Sequence, residues 1–401
     1  MMKKTLIFIL SLTLFISAAG CSVSIKEGSE ASPQDDSETI DSYCVIADKN
    51  GKQLGKIDSR AVGTAADEGV FYSIYYLKEN EHTAKASYGF FYSDSGESVV
   101  FGSLANQGYE AVYSRTELDG VVYTLALSGD PFDTVPDSLH LLAFNVSERK
   151  MADCVVSENG YPFSSMAVKD GRLLIMVHEM TEPKFDKVYE FDPASGAVEE
   201  VLSITVSNGE TDSLRSIAPA KDGFYVLRLH IDADGSREMF LDSYASDHRK
   251  TSETSLNDIM LPAISAIHGI SGAGDAQNET GMHVSGFRVE DGRYMYYENF
   301  GLTRLILDLE EGEALFVQDD LYSMTPGGGD PVFYRMQFPD EETQPTELTC
   351  VKDGQLFHPE FSPADPSLLL QSISRSPNGA WLSSMTDPTG KEKTLCYWTE
   401  D

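Results

Sequence analysis

From Ala167 to Ile204 short apolar runs alternate with turn-forming residues, AVKDGRLLIMVHEMTEPKFDKVYEFDPASGAVEEVLSI. The runs are rich in β-branched and aromatic residues and are too short for helices, so the pattern predicts strands. Asp170-Gly171 accepts the positive φ angles of a tight hairpin, which folds the strand ending at Lys169 back onto Arg172–Val177. A second turn, Pro193-Ala-Ser-Gly196, separates Lys187–Asp192 from Ala197–Ile204, with Val188, Phe191, Val198 and Val201 as the apolar contributors. With Phe163–Val168 in front, the stretch makes one four-stranded antiparallel unit.

The unit recurs. An acid-Gly or Asn-Gly pair followed by an apolar strand stands at Glu68-Gly69, Asp119-Gly120, Asp170-Gly171, Asp222-Gly223, Asp291-Gly292 and Asn378-Gly379, with glycine spacings of 51, 51, 52, 69 and 87 residues. The 69-residue step holds an insertion, and the 87-residue step has room for one more unit with a degenerate turn at Gly329-Asp330-Pro331. That makes seven units. One four-stranded sheet cannot bury both of its faces, whereas seven arranged radially cover each other, so the period predicts an all-β fold, a seven-bladed β-propeller.

The expected blades are Arg60–Leu104, Tyr109–Ser157, Tyr161–Ile204, Ser213–Leu256, Met282–Gln318, Leu321–Phe361, and Leu368–Asp401 completed by Tyr43–Ile57. Pairing of the N- and C-terminal strands then closes the ring. Over residues 43–401 the period resembles that of WD-repeat, kelch and related bacterial propellers. The likeness is one of fold alone, because neither a Gly-His…Trp-Asp pair nor a kelch double glycine is present.

The N-terminus has a different pattern. Lys3-Lys4 precedes an apolar run from Thr5 to Ser17 and then Ala18-Ala19-Gly20-Cys21. The run is short for a membrane span and ends in small residues suited to cleavage. This arrangement resembles the signal peptide and lipobox of bacterial lipoproteins, with Ala18 in place of the commoner leucine. The resemblance implies a signal peptide over 1–20, diacylglycerol on Cys21, and an extracytoplasmic protein whose membrane partner is the lipid bilayer. Residues 21–42 are polar, rich in Ser and acidic side chains, and read as a disordered tether spanning up to about 70 Å when stretched.

The chain carries a formal charge of −34, and loss of Lys3 and Lys4 with the leader takes it to −36. So acidic a surface repels nucleic acid, which is not an expected partner. Four cysteines remain after Cys21, without metal-ligand spacing. Cys44 and Cys396 lie in the first and last strands, so ring closure makes them neighbours. A Cys44–Cys396 disulfide or close thiol pair is one reading, and four buried free thiols is the other.

The insertion at 257–281 has helical spacing at Leu261, Ile264, Ile267 and His268 and breaks at Gly272-Ala-Gly274. It reads either as a docking arm or as a short helix packed on the propeller. Aromatics such as Phe71, Tyr72, Tyr75, Tyr76, Tyr294, Tyr296 and Tyr297 lie within strands, where core packing is favoured over sugar stacking.

Propeller ligands meet the face built from the loops after each second strand. There the sequence places Glu79, Asp130, His178, Glu179, His230, Asp232, Glu298, Arg335 and Asp387. His178, Glu179, His230, Asp232, Glu298 and Arg335 are the candidate ligand-binding residues, because converging imidazoles and carboxylates bind ligands or move protons. Asp232-Ala-Asp234-Gly235 resembles the start of a calcium loop but lacks the other ligands and reads as a turn. No nucleophile elbow, zinc-protease, P-loop or dinucleotide motif stands in the chain, so no cofactor or metal is expected. The resulting expectation is a lipid-anchored, non-enzymatic propeller that binds a protein or small ligand. A glycan- or peptide-processing hydrolase or lyase, and a structural scaffold, are the alternatives.

Overall fold

The computed structural model describes residues 43–399 apart from 77–84, 104–108, 129–137, 159, 162–164, 180–184, 206–210, 269–283, 300–302, 319–320, 327–329, 338–346, 362–364 and 366. The leader, Cys21, the tether, Glu79, Asp130 and the end of the insertion fall outside these residues.

Seven sheets make up the fold, and in six of them the strands follow one another in sequence order. Blade 1 comprises Val62–Ala66, Gly69–Tyr76, Lys85–Tyr92 and Ser98–Ser103, and blade 2 runs from Tyr109 to Ser157 in the same way. Blades 4, 5 and 6 cover Thr211–Ser255, Val284–Gln318 and Tyr322–Phe357. First strands contact one another across the seams of blades 2–3, 3–4, 4–5 and 7–1, whereas fourth strands such as Lys250–Ser255 and Gln355–Phe357 are exposed along their length. First strands therefore line the centre of the ring and fourth strands its rim.

Two blades depart from four strands. In blade 3 the inner strand is split into Gly160–Tyr161 and Met166–Lys169, both paired with Arg172–Glu179. In blade 7 both strands of the N-terminal hairpin join the sheet, so the order is Gln53–Asp58, Tyr43–Ala47, Lys393–Thr399, Ala380–Thr386, Leu369–Arg375. Tyr43–Ala47 runs parallel to Lys393–Thr399, with Val45 opposite Thr394 and Ala47 opposite Cys396.

That register corrects the cysteine pairing. Cys396 faces Ala47, which puts Cys44 three residues away along the strand, about 10 Å. Both thiols are free. Cys44 Sγ points to Asp58 O at 3.7 Å and Cys396 Sγ to Asp48 O at 3.4 Å. A parallel pairing cannot bring the two side chains into disulfide range at this offset.

An apolar cluster fills each seam. Phe71, Tyr88 and Phe90 of blade 1 meet Leu142 and Phe144 of blade 2, and equivalent clusters fill the other six seams, ending with Ile46, Val70, Leu382 and Leu395 between blades 7 and 1. Phe71, Tyr72, Tyr294, Tyr296 and Tyr297 are all buried in these seams. The helix Asn257–His268 buries Met260, Ala263 and Ile264 against the seam of blades 4 and 5. The Asn257 side chain ties its start to Met239 N and Arg237 O. It is thus a packed element, and it begins five residues before Pro262.

The recurring acid-Gly pair serves two purposes. Asp119-Gly120 and Asp170-Gly171 occupy two-residue hairpin turns with φ near 50° and 74°. In blades 1 and 4 the two turn residues come earlier, and Gly69 and Gly223 open the second strand. There the need is space, since a Cβ on Gly223 would lie 1.7 Å from Tyr244 O. We predict that Gly120→Ala costs about 1 kcal/mol, the strain of a left-handed alanine. Gly223→Ala should cost several times as much, because the third strand must move. Denaturant titration of the two variants checks the difference.

Candidate functional site

Each inner strand has a paired strand on one edge only, and its other edge needs partners for its N–H groups. Side chains of neighbouring blades supply them. Asp186 of blade 3 accepts Leu214 N of blade 4 at 2.7 Å, and Ser165 Oγ accepts Ile217 N at 2.9 Å. Glu298 of blade 5 accepts Met324 N of blade 6 at 3.0 Å, and Gln337 of blade 6 accepts Leu370 N of blade 7 at 2.9 Å. Ser374 Oγ of blade 7 accepts Ala65 N of blade 1 at 2.9 Å, closing the circle. In the opposite sense Glu117 of blade 2 accepts Asp67 N of blade 1 at 3.1 Å.

Several sequence candidates belong to this framework. His178 donates from Nδ1 to Asp186, the carboxylate that also accepts Leu214 N. Glu298 takes Arg304 Nη2, Ser323 Oγ and Met324 N, each at 3.0 Å. Both ends of this ion pair are buried, so its oxygens are held by the scaffold. Arg335 pairs with Tyr322 across the inner hairpin of blade 6, and its N–H donates to Glu347 O at 3.0 Å. Asp387 accepts the amides of Thr389, Lys391 and Glu392 and shapes a hairpin loop. Asp232, Asp234 and Gly235 form the turn before Arg237–Ala245, with Gly235 at φ 88°.

Strand alternation decides which candidates share a seam. His178 lies on the same side of its strand as Leu174 and Met176, which pack against blade 4. His230 and Arg228 follow Phe224 and Val226 on the side of blade 4 that meets blade 3. The seam between blades 3 and 4 is therefore apolar towards the hairpin turns and charged towards the loop face. Glu179 points the other way, to Lys187 Nζ at 3.0 Å and Tyr189 Oη at 3.1 Å, and Glu298 belongs to the seam of blades 5 and 6.

Within the charged seam Arg228 is the hub. It bonds Asp212, reaches Asp242 at 2.8 Å and Glu253 at 2.6 Å, and stacks over the Phe240 ring at 4.5 Å. Lys250 completes the ladder to Asp242 and Glu253. His230 has both ring nitrogens on carboxylates, Nδ1 to Asp212 at 3.0 Å and Nε2 to Asp232 at 2.9 Å. Desolvation lowers its pKa, but these two hydrogen bonds and the carboxylate charges outweigh that and hold it above the ordinary histidine value. Asp212 is correspondingly held low despite desolvation, through His230 and Arg228. Two carboxylates thus favour the protonated form of His230, whereas the Asp186 carboxylate orients the His178 ring through Nδ1.

A second feature had no signal of its own in the sequence. On the turn face, between blades 1 and 2, a cleft is lined by Thr64, Phe71, Arg115, Glu117 and Pro377. Arg115 donates to Thr64 Oγ1 at 3.1 Å and Ser73 Oγ, and lies over the Phe71 ring at 5.4 Å. Glu117 is buried beside Asp67 and Glu68, and desolvation followed by those charges raises its pKa to about 7.

No family model matches the sequence, and no curated protein matches it significantly. Among solved structures the chain is similar to the β-propeller domain of the trilobed protease from Pyrococcus furiosus, described as having an open velcro topology. The identity is 11%, the match covers 86% of this chain and 97% of that one, and the TM-score is 0.47. At that distance no activity carries over.

Glu298→Ala leaves the buried Arg304 charge without its carboxylate, only the Nη1 bond to Asn299 O remaining, and Met324 N without its acceptor, and should destabilise the fold by about 3–5 kcal/mol. His230→Ala, on a partly exposed network, should cost about 1 kcal/mol or less, and urea melts compare the two. For Glu117 the folded pKa of about 7 lies above the ordinary 4.5, so the folded state retains the proton that the unfolded chain releases. Its contribution is most favourable below pH 4.5 and declines as pH rises through 7. Glu117→Gln should therefore gain stability relative to the parent at pH 8, by up to about 3 kcal/mol, and lose that advantage at pH 4.5.

Proposed function

We propose that this chain is a lipid-anchored extracytoplasmic propeller whose loop face binds a partner outside the cytoplasmic membrane. The supporting observation is that Asp186, which orients His178, and Glu298 each accept an inter-blade hydrogen bond as parts of the framework. A rigid ring that spends its polar strand ends on itself presents an ordered surface for recognition. The lipobox-like Ala18-Ala-Gly-Cys21 and the polar tether support attachment through Cys21 and reach beyond the bilayer surface. The two acyl chains of a diacylglycerol on Cys21 would supply the two-chain anchor, and palmitate a further chain.

One observation favours the enzymatic alternative. The His178–Asp186 pair on the loop side of the blade 3–4 seam has the geometry of an oriented general base, suited to hydrolysis or elimination on a glycan or peptide.

In-cell crosslinking of the full chain, followed by affinity capture and mass spectrometry, separates these readings, with Cys21→Ala as the unanchored control. The binding reading expects a reproducible envelope partner with the parent, lost when Cys21→Ala releases the protein from the membrane fraction. Turnover of a glycan or peptide that disappears in His178→Ala would replace it with the enzymatic one.

A further inference from the structure

Blade 2 carries a line of side-chain hydrogen bonds that ends on a carboxylate. Its second strand, Val121–Ser128, and its third, Ser138–Asn145, meet at the loop face in the cross-strand pair Ser128 and Ser138. Their hydroxyl oxygens lie 2.6 Å apart. Ser138 Oγ is 2.7 Å from His140 Nε2, and His140 Nδ1 is 2.7 Å from Asp153 Oδ1 on the fourth strand. Serine, imidazole and carboxylate thus stand in the order that activates a hydroxyl as a nucleophile.

Strand alternation assembles the line. Ser138 and His140 are two residues apart and share one face of the third strand. Asp153 pairs with Leu142, which puts it on that same face, a diagonal step from His140. Leu142 packs in the seam with blade 1, so the line extends that seam towards the loop face. The His140 and Asp153 side chains are only 12% and 13% exposed, and bulk water competes little for their bond, while both serines stay partly open.

Chemistry fixes where each proton sits. A carboxylate only accepts, so His140 Nδ1 carries the proton and Nε2 of the neutral ring is the acceptor. Ser138 Oγ–H therefore donates to Nε2, and Ser128 Oγ–H donates to Ser138 Oγ. His230 differs at one point, since its Nε2 faces a second carboxylate, Asp232, which favours the cation over the base.

We propose that Ser138, His140 and Asp153 form an acyl-transfer site at the loop face of blade 2, with short-chain esters as substrates and water as the final acceptor. Ser138 Oγ attacks the ester carbonyl carbon while its proton passes to His140 Nε2, and the carbonyl oxygen becomes an oxyanion. Asp153 holds the ring and offsets the imidazolium charge. The bond to the leaving oxygen then breaks, and that oxygen takes the proton from Nε2 and departs as the alcohol. Water next gives a proton to Nε2 and attacks the acyl carbon, whereupon Ser138 leaves, recovers the proton and frees the acid. Once bonded to carbon, Ser138 Oγ is a weaker acceptor, and the Ser128 hydroxyl is placed to turn to the oxyanion. One hydroxyl donor suits esters, which are more reactive than amides. Ala126 and Leu142, the neighbours of the line in the seam, are fully buried, so the acyl group lies at the surface and is short.

This activity goes beyond the binding reading and does not rest on it. Ester turnover and partner capture are read separately, so failure of one experiment leaves the other standing.

The test uses the full chain in detergent, with p-nitrophenyl acetate as substrate, a fluorophosphonate as covalent probe, and the heat-unfolded chain as background. Nitrophenolate release should exceed background, and peptide mapping should find the phosphonate on Ser138. Ser138→Ala should lose both signals, and His140→Gln should lower turnover by about 10²-fold or to background. Ser128→Ala should lower it by about 10²-fold, as loss of an oxyanion donor does. Asp153 acts by positioning, so Asp153→Asn should lower kcat and leave KM unchanged. Ser147→Ala, in the exposed hairpin turn of the same blade, should match the parent. Thermal melts show which variants are folded, and mapping of the probe on the parent needs no variant. The proposal is overturned if the folded parent takes no probe on Ser138, if turnover equals background or survives Ser138→Ala, or if it is lost in His178→Ala and kept in His140→Gln.

Discussion

The structure depends on what happens at the open edge of each inner strand. A propeller removes the exposed faces of its sheets by packing them radially, but it leaves seven inner edges whose N–H groups have no neighbouring strand. Left unmet inside the ring, each would cost about 1–3 kcal/mol. The side chains that meet them come from adjacent blades: Asp186 and Ser165 for blade 4, Glu298 for blade 6, Gln337 for blade 7 and Ser374 for blade 1. Every such bond fixes one blade's height and tilt against the next. Apolar clusters in the seams supply most of the burial, but they tolerate sliding, whereas a carboxylate on one particular N–H does not.

That requirement explains where the charges lie. Carboxylates are strong acceptors for an edge N–H, but they bring negative charge into a desolvated place. At the seam of blades 5 and 6 the balance is direct, with Arg304 bonded to Glu298. Blade 4 achieves it through the Arg228 ladder, in which Asp212, Asp242, Lys250 and Glu253 spread the charge over the width of the sheet. Polar residues at the ends of second strands are thus first a condition of ring assembly. Functional chemistry has to be added to that framework.

The blade period was legible in the sequence because hairpin turns impose strong local chemistry. Asp119-Gly120 and Asp170-Gly171 need left-handed backbone, and few residue pairs supply it. The same dipeptide at Glu68-Gly69 and Asp222-Gly223 marked the right place for another reason, close approach of the third strand. Relationships across the ring were not legible. His178 and Asp186 are paired by register across two strands, and Asp186 with Leu214 N by blade packing. In the sequence His178 and Asp186 look like ordinary polar positions of alternating strands. Glu117 is the plainest case, since burial beside Asp67 arises only when blade 2 meets blade 1. Direction of closure was hidden too, because alternation in Tyr43–Ala47 is the same for parallel and antiparallel pairing, and the parallel choice separates Cys44 from Cys396.

The bulges carry the last step. An inner strand that must present N–H groups to the side chains of its neighbours cannot keep perfect alternation along its whole length, and blades 4, 5 and 7 each gain one residue at the same depth. Ser285 and Gln371 at two of these positions bond locally, to Glu298 O and Gln337 O. Arg215 at the third has its Nε shielded from solvent and unbonded, although Asp186 acts on it electrostatically. The assembly constraint thereby creates the position, and arginine there makes it chemically distinct from its equivalents.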